Sequence, residues 1–251
     1  NLVICEEGSK ATILEESVAK GAGVYFVSRV THIHVQNQAQ LTHIKLQNES
    51  ESAFHISNIR AKVENHGHYA SHLFSLGGVL TRNDIEIVLN GKEASNDLQG
   101  LYAVHGSQVV DNRTYIDHAQ PHCRSFQTYK GILGDQSRGI FNGRIMVRPG
   151  AVKTDAQQLN RNLLLSETAE VDSRPQLEIL NDDVKCSHGA AIGQIDANQI
   201  FYMRTRGISE ADARRILTRA FAEEQINKIQ MAELRARIDS LLMNKGLMAE
   251  Q

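Results

Sequence analysis

Short β-strand patterns recur at roughly ten-residue spacing through most of this chain, and this recurrence limits the folds that it can adopt. Thr81–Leu89, Ser125–Leu133 and Gly139–Val147 are three of the predicted strands, and Gly150–Thr154 closes the regular series. Helical periodicity is almost absent before Ser209. A series of this kind predicts a mainly β fold, either a sandwich or barrel closed by hairpins or a solenoid of stacked coils.

The turn signals favour the solenoid without excluding the sandwich. The best hairpin signals are Asn90-Gly91 and Asn142-Gly143, and both also suit the sharp corner of a coil. Stacked coils bury alternate residues in a continuous apolar column and turn the others to solvent. We therefore expect a parallel β-helix in which Ile85, Ile87 and Leu89 lie in one apolar column.

Composition narrows the class of protein. Apolar residues make up 41% of the 251 positions, enough for a globular core, and no apolar run approaches the ~20 residues of a membrane helix. The net charge of −2 gives no basic footprint for nucleic acid. Three cysteines and no signal-peptide pattern at the start predict reduced thiols and a cytoplasmic location.

No catalytic motif is present in the sequence. A Gly-x-Ser-x-Gly elbow and a Gly-x-x-x-x-Gly-Lys-Ser/Thr phosphate loop are both missing. Acyl transfer and nucleotide hydrolysis therefore have no support, and we expect a non-enzymatic protein.

Cys186 and His188 are the candidate metal ligands. A turn at residues 181–183 precedes a short strand in which Val184, Cys186 and His188 share one face, and Gly189 is predicted to end it. A thiol and an imidazole two positions apart can reach one ion, but a structural site normally takes about four ligands. The pair is then half a site, completed by distant residues or another chain. The alternative is a buried cysteine beside a hydrogen-bonded core histidine.

The C-terminal part is predicted to be helical. Ser209 is a good N-cap for a helix to about Ile226, and a second amphipathic segment runs over about 230–244, ending near Gly246. Four residues stack at i and i+4 on the first helix: Ile216, Leu217, Ala220 and Phe221. These helices could cap the open end of a solenoid, which would otherwise expose its core and strand edges.

Several ordered motifs resemble one protein family, the SufB/SufD scaffold subunits of the SUF iron–sulfur cluster assembly system. The resemblance is to the SufD type, because a cysteine and a later Glu-His pair typical of SufB are not found. The matching segments are 169–190, 193–196, 199–202, 204–208, Pro121-His-Cys-Arg124, Phe141-Asn-Gly143 and Lys153-Thr-Asp155.

The resemblance implies a fold and a division of the chain. SufD-like proteins have a right-handed parallel β-helix, here residues 1–203, followed by a small C-terminal α-helical region, here 204–251. They usually carry a helical N-terminal region as well, and this chain is expected to begin after it.

The resemblance also implies partners and cargo. A scaffold subunit of this type pairs with SufB through the C-terminal end of the β-helix, and its C-terminal helices dock the SufC ATPase, here through Ile216, Leu217, Ala220 and Phe221. An iron–sulfur cluster would be held transiently at the SufB interface by His188, with Cys186 beside it and the missing ligands from SufB. Flavin is a further expectation for the complex.

Two other functions stay open from the sequence. One is a β-helix carbohydrate-active enzyme, a lyase or hydrolase, which would need a cleft lined with Asp, Arg or Lys on one face of the solenoid. The other is a homodimeric structural β-helix without a role in cluster assembly.

Overall fold

Each coil of this chain consists of two strands joined by tight corners, and the coils stack in parallel. A computed structural model gives the conformation of residues 1–245, so the predicted helix end near Gly246 lies outside the described residues. The strands are β1 Leu2–Cys5, β2 Lys10–Val18, β3 Phe26–Val35, β4 Gln40–Asn48, β5 Phe54–Val63, β6 His68–Ser75, β7 Leu80–Leu89, β8 Ser95–Val104, β9 Val109–His118, β10 Arg124–Leu133, β11 Arg138–Val147, β12 Asp155–Leu164, β13 Glu170–Ile179 and β14 Lys185–Gly193.

The strands alternate between two seven-stranded sheets. The odd-numbered strands form one sheet in the order β1-β3-β5-β7-β9-β11-β13, and the even-numbered strands form the other. All pairings are parallel and in register, with Leu80 opposite Val109 and Arg124 opposite Asp155. A strand therefore pairs with the strand of the next coil, not with its neighbour in sequence. The expected parallel solenoid, of about seven coils, is confirmed, and the antiparallel sandwich is wrong.

The apolar core lies between the two sheets. Ile85, Ile87 and Leu89 are 3%, 0% and 0% exposed and belong to one continuous cluster, as predicted. Every second residue of a strand contributes to it because successive side chains point to opposite faces. The cluster runs from Cys5 in β1 to Ala156 in β12.

Charged residues also lie inside the first coils. Lys45 is 1% exposed, and its Nζ lies 3.1 Å from Nε2 of His55, whose Nδ1 is 2.6 Å from a Glu49 carboxylate oxygen. His43 lies 3.5 Å from Glu15. The hydrogen bond from His43 holds the pKa of Glu15 at about 2, while burial lowers the pKa of Lys45 to about 8. Isolated buried charges are costly, so this paired network is what allows ionisable groups in the column.

Two strand predictions are wrong. Residues 150–154 form a turn, in which Gly150 and Lys153 take positive φ values of 83° and 59°. The strand β12 follows the turn and was missed, because its inward residues are small or polar. They are Ala156, Gln158, Asn160 and Asn162. In addition, β14 continues past Gly189 to Gly193.

Within residues 1–245, three helices follow the strands: α1 Ala197–Thr205, α2 Glu210–Ile226 and α3 Ala232–Met243. The predicted N-cap of α2 is confirmed, since Ser209 Oγ accepts a hydrogen bond from the Asp212 amide. Helix α1 is not predicted, because its Phe201 and Tyr202 are both exposed and it has no apolar stripe to detect. Helical residues thus begin at Ala197 rather than Arg204. None of these helices has the length and apolar character needed to cross a membrane.

The helices α2 and α3 lie on the flank of the solenoid. Their buried residues pack on outward-facing residues of the even-numbered sheet, and this flank cluster is Ile44, Leu46, Phe74, Leu76, Leu101, Ala103, Ile132, Ala222, Ile226, Ile229, Leu234, Ile238 and Leu242. Lys130 of β10 reaches the Glu224 carboxylate, donates to the Phe221 carbonyl at 3.0 Å and lies 4.4 Å from the centre of the Phe221 ring. The expectation that both helices cap the open end is therefore wrong, because their apolar face is covered by the side of the sheet.

Replacing Ile87 by Asp is expected to abolish folding. The side chain is fully buried in the apolar column, and a carboxylate there has no partner to offset the loss of its hydration. Val88 points outward from the same strand, so Val88→Asp is the matched control and should remain folded. Circular dichroism and urea unfolding of both proteins measure the difference. A cooperative transition of parental stability for Ile87→Asp would contradict the column.

Replacing Lys45 by Met is expected to remove a rise in stability at alkaline pH. The folded-state pKa of Lys45, about 8, lies below its ordinary value of 10.5, so the unfolded chain binds more protons between these pH values. Stability of the parent protein should therefore increase, relative to the variant, from about pH 8 to about pH 10. The shift corresponds to a contribution on the order of 3 kcal/mol against folding at neutral pH. Urea unfolding at pH 7, 8, 9 and 10 measures it, and parallel pH curves for the two proteins would contradict the assignment.

Candidate functional site

The last coil of the solenoid, β13 and β14, brings the candidate ligands together at an open end. The strand β13 pairs only with β11, and β14 pairs only with β12, so within residues 1–245 their outer edges carry unpaired backbone groups. The polar residues at 181–183 form the predicted turn between the two strands, where the Asp183 amide donates to Asn181 Oδ1 at 3.0 Å. This edge is the candidate functional site.

Cys186 and His188 share the inward face of β14, as predicted. In register, Cys186 stacks on Ala156 and His188 stacks on Gln158, both of which are inward residues of β12. The shared face follows from the two-residue period of a strand, and it places the two Cα atoms about 6.5 Å apart. Sequence reasoning missed Gln158 because it missed β12.

The two side chains differ in their surroundings. Cys186 is half-buried and packs against the apolar core, and this burial raises the pKa of its thiol, an effect to which nearby Asp155 adds. His188 is exposed, and within the described chain its ring makes neither a hydrogen bond nor an ion pair. Cys186 therefore resembles a packing group with a protonated thiol, whereas the His188 imidazole is free to bind.

The described residues, 1–245, do not complete a metal site at this edge. Among residues 1–245, no group of three or more His, Cys, Asp or Glu side chains is arranged to hold a metal ion. The pair at the open end can supply two ligands, and a typical four-ligand site would need two more from elsewhere.

The surface around the pair is partly apolar. Ile179, Leu180 and Ile192 at the ends of β13 and β14 are 40%, 53% and 49% exposed. Phe201 and Tyr202 of α1 follow shortly afterwards in sequence and are also exposed. Unpaired strand edges and large exposed apolar side chains together are typical of a surface that another protein covers.

The other predicted contact surface, on α2, is only partly available. Ile216 is 45% exposed and Ala220 is exposed, whereas Leu217 is half-buried. Phe221 turns towards the sheet, where it packs against the flank cluster and receives the Lys130 ammonium over its ring. Phe221 thus anchors the helix, and of the four predicted contact residues Ile216 and Ala220 are the exposed ones.

Comparisons with known proteins agree on one family. A family profile described as "SUF system FeS cluster assembly, SufBD core domain" matches residues 1–221. The iron–sulfur cluster assembly protein SufD of Escherichia coli is 39% identical over 218 residues, 87% of this chain and 52% of that protein. A SufBD family protein of Synechocystis is 34% identical over 245 residues, 94% of this chain and 54% of that protein. The protein ABCI7, chloroplastic, of Arabidopsis thaliana is 36% identical over 235 residues, 93% of this chain and 50% of that protein. The chain spans about half the length of these curated relatives.

Proposed function

The chain belongs to the SufBD family of the SUF iron–sulfur cluster assembly system, and on this premise we propose that it is a non-catalytic scaffold subunit that pairs with SufB. The observation that carries the proposal is the open end of the solenoid, where unpaired strand edges stand beside an exposed histidine and a half-buried cysteine. The cluster is the cargo of such a scaffold, and its site lies between the two subunits.

The strand edges favour a partner of the same architecture. A parallel sheet leaves a row of unpaired N–H and C=O groups at its last strand, and another parallel strand satisfies them in register. Two such rows, on β13 and β14, face the same way because both strands belong to one coil. The end of a second β-helix offers two matching rows, which is why we assign this surface to SufB.

Of the two candidate ligands, His188 is more readily available to bind iron than Cys186. His188 needs no loss of packing to bind iron, since it is exposed and unpaired within the described residues. Cys186 must lose a proton first, and the raised pKa of its thiol makes that step harder. We therefore assign His188 as the principal ligand of this subunit and Cys186 as a secondary one, with the other ligands supplied by SufB.

The SufC ATPase is assigned to α2. Ile216 and Ala220 form its exposed apolar face, and Leu217 lies at the rim. Removal of all residues after Arg206 would also uncover the flank cluster, so truncation would mix loss of docking with loss of solubility. Single substitutions on the exposed face separate the two effects.

Three other expectations have less support than the scaffold function: flavin binding, a homodimer and a carbohydrate-active enzyme. Flavin in the assembled complex stays an expectation of the family resemblance, and no residue of this chain is assigned to it. A homodimer through the same open end is the expected state of the chain without SufB. Membership of the SufBD family speaks against the carbohydrate-active alternative.

Replacing His188 by Ala is expected to lower iron–sulfur cluster assembly in cells by about tenfold or more, the scale for loss of a metal-site residue. The fold and SufB pairing should persist, because the side chain is exposed. Cys186→Ser should have a smaller effect. Cluster assembly is measured by the activity of a cluster-dependent reporter enzyme, and pairing by co-purification.

The matched control is His32→Ala, which removes an exposed histidine from the outward face of β3. It should leave both measurements at the parental level. A His188→Ala protein that folds, pairs with SufB and assembles clusters normally would refute the ligand role.

Replacing Ala220 by Glu is expected to reduce SufC binding strongly while leaving the chain folded. The position is exposed on α2, so the added carboxylate places an unpaired charge in the proposed contact without touching the flank cluster. Ala236→Glu, on the exposed surface of α3, is the control and should bind SufC normally. Co-purification and the SufC ATPase rate measure the effect. Equal SufC binding by both variants would place the contact elsewhere.

A further inference from the structure

A row of amide side chains runs behind His188 inside the solenoid. Gln127 of β10, Gln158 of β12 and His188 of β14 occupy the same register position on three successive coils and point inward. Gln127 and Gln158 are each 2% exposed. Because parallel strands in register place equivalent side chains directly above one another, each member of the row can reach the next.

Two hydrogen bonds connect the amides of this row to the interior. Gln127 Nε2 donates across the solenoid to Thr114 Oγ1 of β9 at 2.6 Å, and Gln158 Nε2 donates to Gln127 Oε1, one coil farther from the open end, at 3.0 Å. Gln127 therefore accepts from the coil nearer the open end, and Gln158 uses its amide N–H on the coil farther from it. The next donor in this sequence would come from β14.

The acceptor at the end of the row lacks a partner. Gln158 Oε1 is buried and has no hydrogen bond within the described residues. A buried carbonyl oxygen without a partner costs about 1–3 kcal/mol, so it is rarely left that way. The residue stacked on Gln158 in register is His188, whose ring carries an N–H donor in either neutral form.

Gly143 explains how Gln158 is held in place. It lies in the middle of β11, where neither a hairpin nor a corner occurs. A Cβ atom at this position would lie 1.9 Å from Gln158 Nε2 and 2.9 Å from its Cδ, so only glycine leaves room for the amide group. Gly143 is thus part of the cradle of Gln158.

We propose that Gln158 is a positioning residue for His188: the imidazole ring, which makes no hydrogen bond within residues 1–245, turns inward and donates its N–H to the unpartnered Gln158 Oε1. Fixing the proton on the inward nitrogen leaves the lone pair of the other nitrogen directed at the open end. Metal-binding histidines usually have their second nitrogen held by an acceptor in this way. The role of this hydrogen bond in metal binding rests on the proposed function of His188. The existence of the hydrogen bond does not depend on that function.

Histidine NMR on the purified chain tests the contact. Long-range ¹H–¹⁵N spectra at pH 8 report which ring nitrogen carries the proton, and the His188 signals are identified by their loss in His188→Gln. One tautomer should dominate in the parent. In Gln158→Met, which keeps the side-chain length but removes the acceptor, the ratio should shift by about fivefold or more, the scale of one net hydrogen bond. Gln176→Met, on the outward face of β13, is the control and should not change it.

A second substitution tests the direction of the row. Gln158→Glu keeps the shape and, when ionised, offers only acceptors, so His188 should keep the parental tautomer or become doubly protonated. A switch to the opposite tautomer would show that the amide donates to His188 and would overturn the proposal. An unchanged tautomer ratio in Gln158→Met would also overturn it. Should Met at 158 prevent folding, Gln158→Asn carries the same test, because it shortens the reach towards His188 by one methylene.

Cluster assembly separates this inference from the proposed function. If both hold, Gln158→Met lowers assembly and Gln158→Glu retains most of it, while SufB pairing is unchanged in each. If His188→Ala assembles clusters normally although the tautomer shifts as described, the ligand role is wrong and the contact stands. If His188→Ala is defective but the tautomer does not respond to Gln158, the ligand role stands and the contact is wrong.

Discussion

Parallel, in-register pairing between equivalent strands of successive coils is the constraint on which the rest of this structure depends. It places each side chain above its counterpart about 30 residues earlier, as with His188 on Gln158. One position therefore defines a row through the molecule, apolar in the column of Ile87 and polar in the row of Gln127. A single substitution therefore acts on two neighbouring coils at once, and the polar row ends in an acceptor that is unsatisfied within the described residues, Gln158 Oε1, one coil before the open end.

The same rule explains which parts of the fold could be predicted from the sequence. Strands with apolar inward residues, such as Thr81–Leu89, were found because alternation in sequence reports burial directly. The strand β12 was missed because its inward residues bond to neighbouring coils instead of packing as apolar groups. Asn160 Nδ2, for example, donates to the Tyr129 carbonyl at 3.2 Å. Alternation cannot reveal a polar interior whose partners lie on a different coil.

The surface on which the helices pack could not be predicted from the sequence either. The helical periodicity predicted α2, and the residue type predicted its Ser209 N-cap. An apolar stripe on a helix does not indicate which surface will cover it. The covering surface is formed by outward residues of the even strands, such as Ile44, Phe74 and Leu101, which form an apolar patch on this flank. Lys130 also helps to hold α2 in this position, because its ammonium lies beneath the helix and pairs with the Glu224 carboxylate. The helices cover this patch and leave the end of the solenoid open.

At the open end of a stacked fold, unpaired backbone groups lower the stability but are available to bind a partner. Interior coils satisfy their backbone groups on both sides, whereas β13 and β14 satisfy them on one side only. In the proposed pairing, a partner that supplies the missing strands would stabilise the end and would place its own ligands beside His188 in the same step. Because no group of three or more potential ligands lies together within residues 1–245, the proposed site would be complete only in the pair. In the proposed pair, separation would remove the partner's ligands while this chain keeps its fold, since the polar row behind His188 and the apolar column behind Cys186 both end within this subunit.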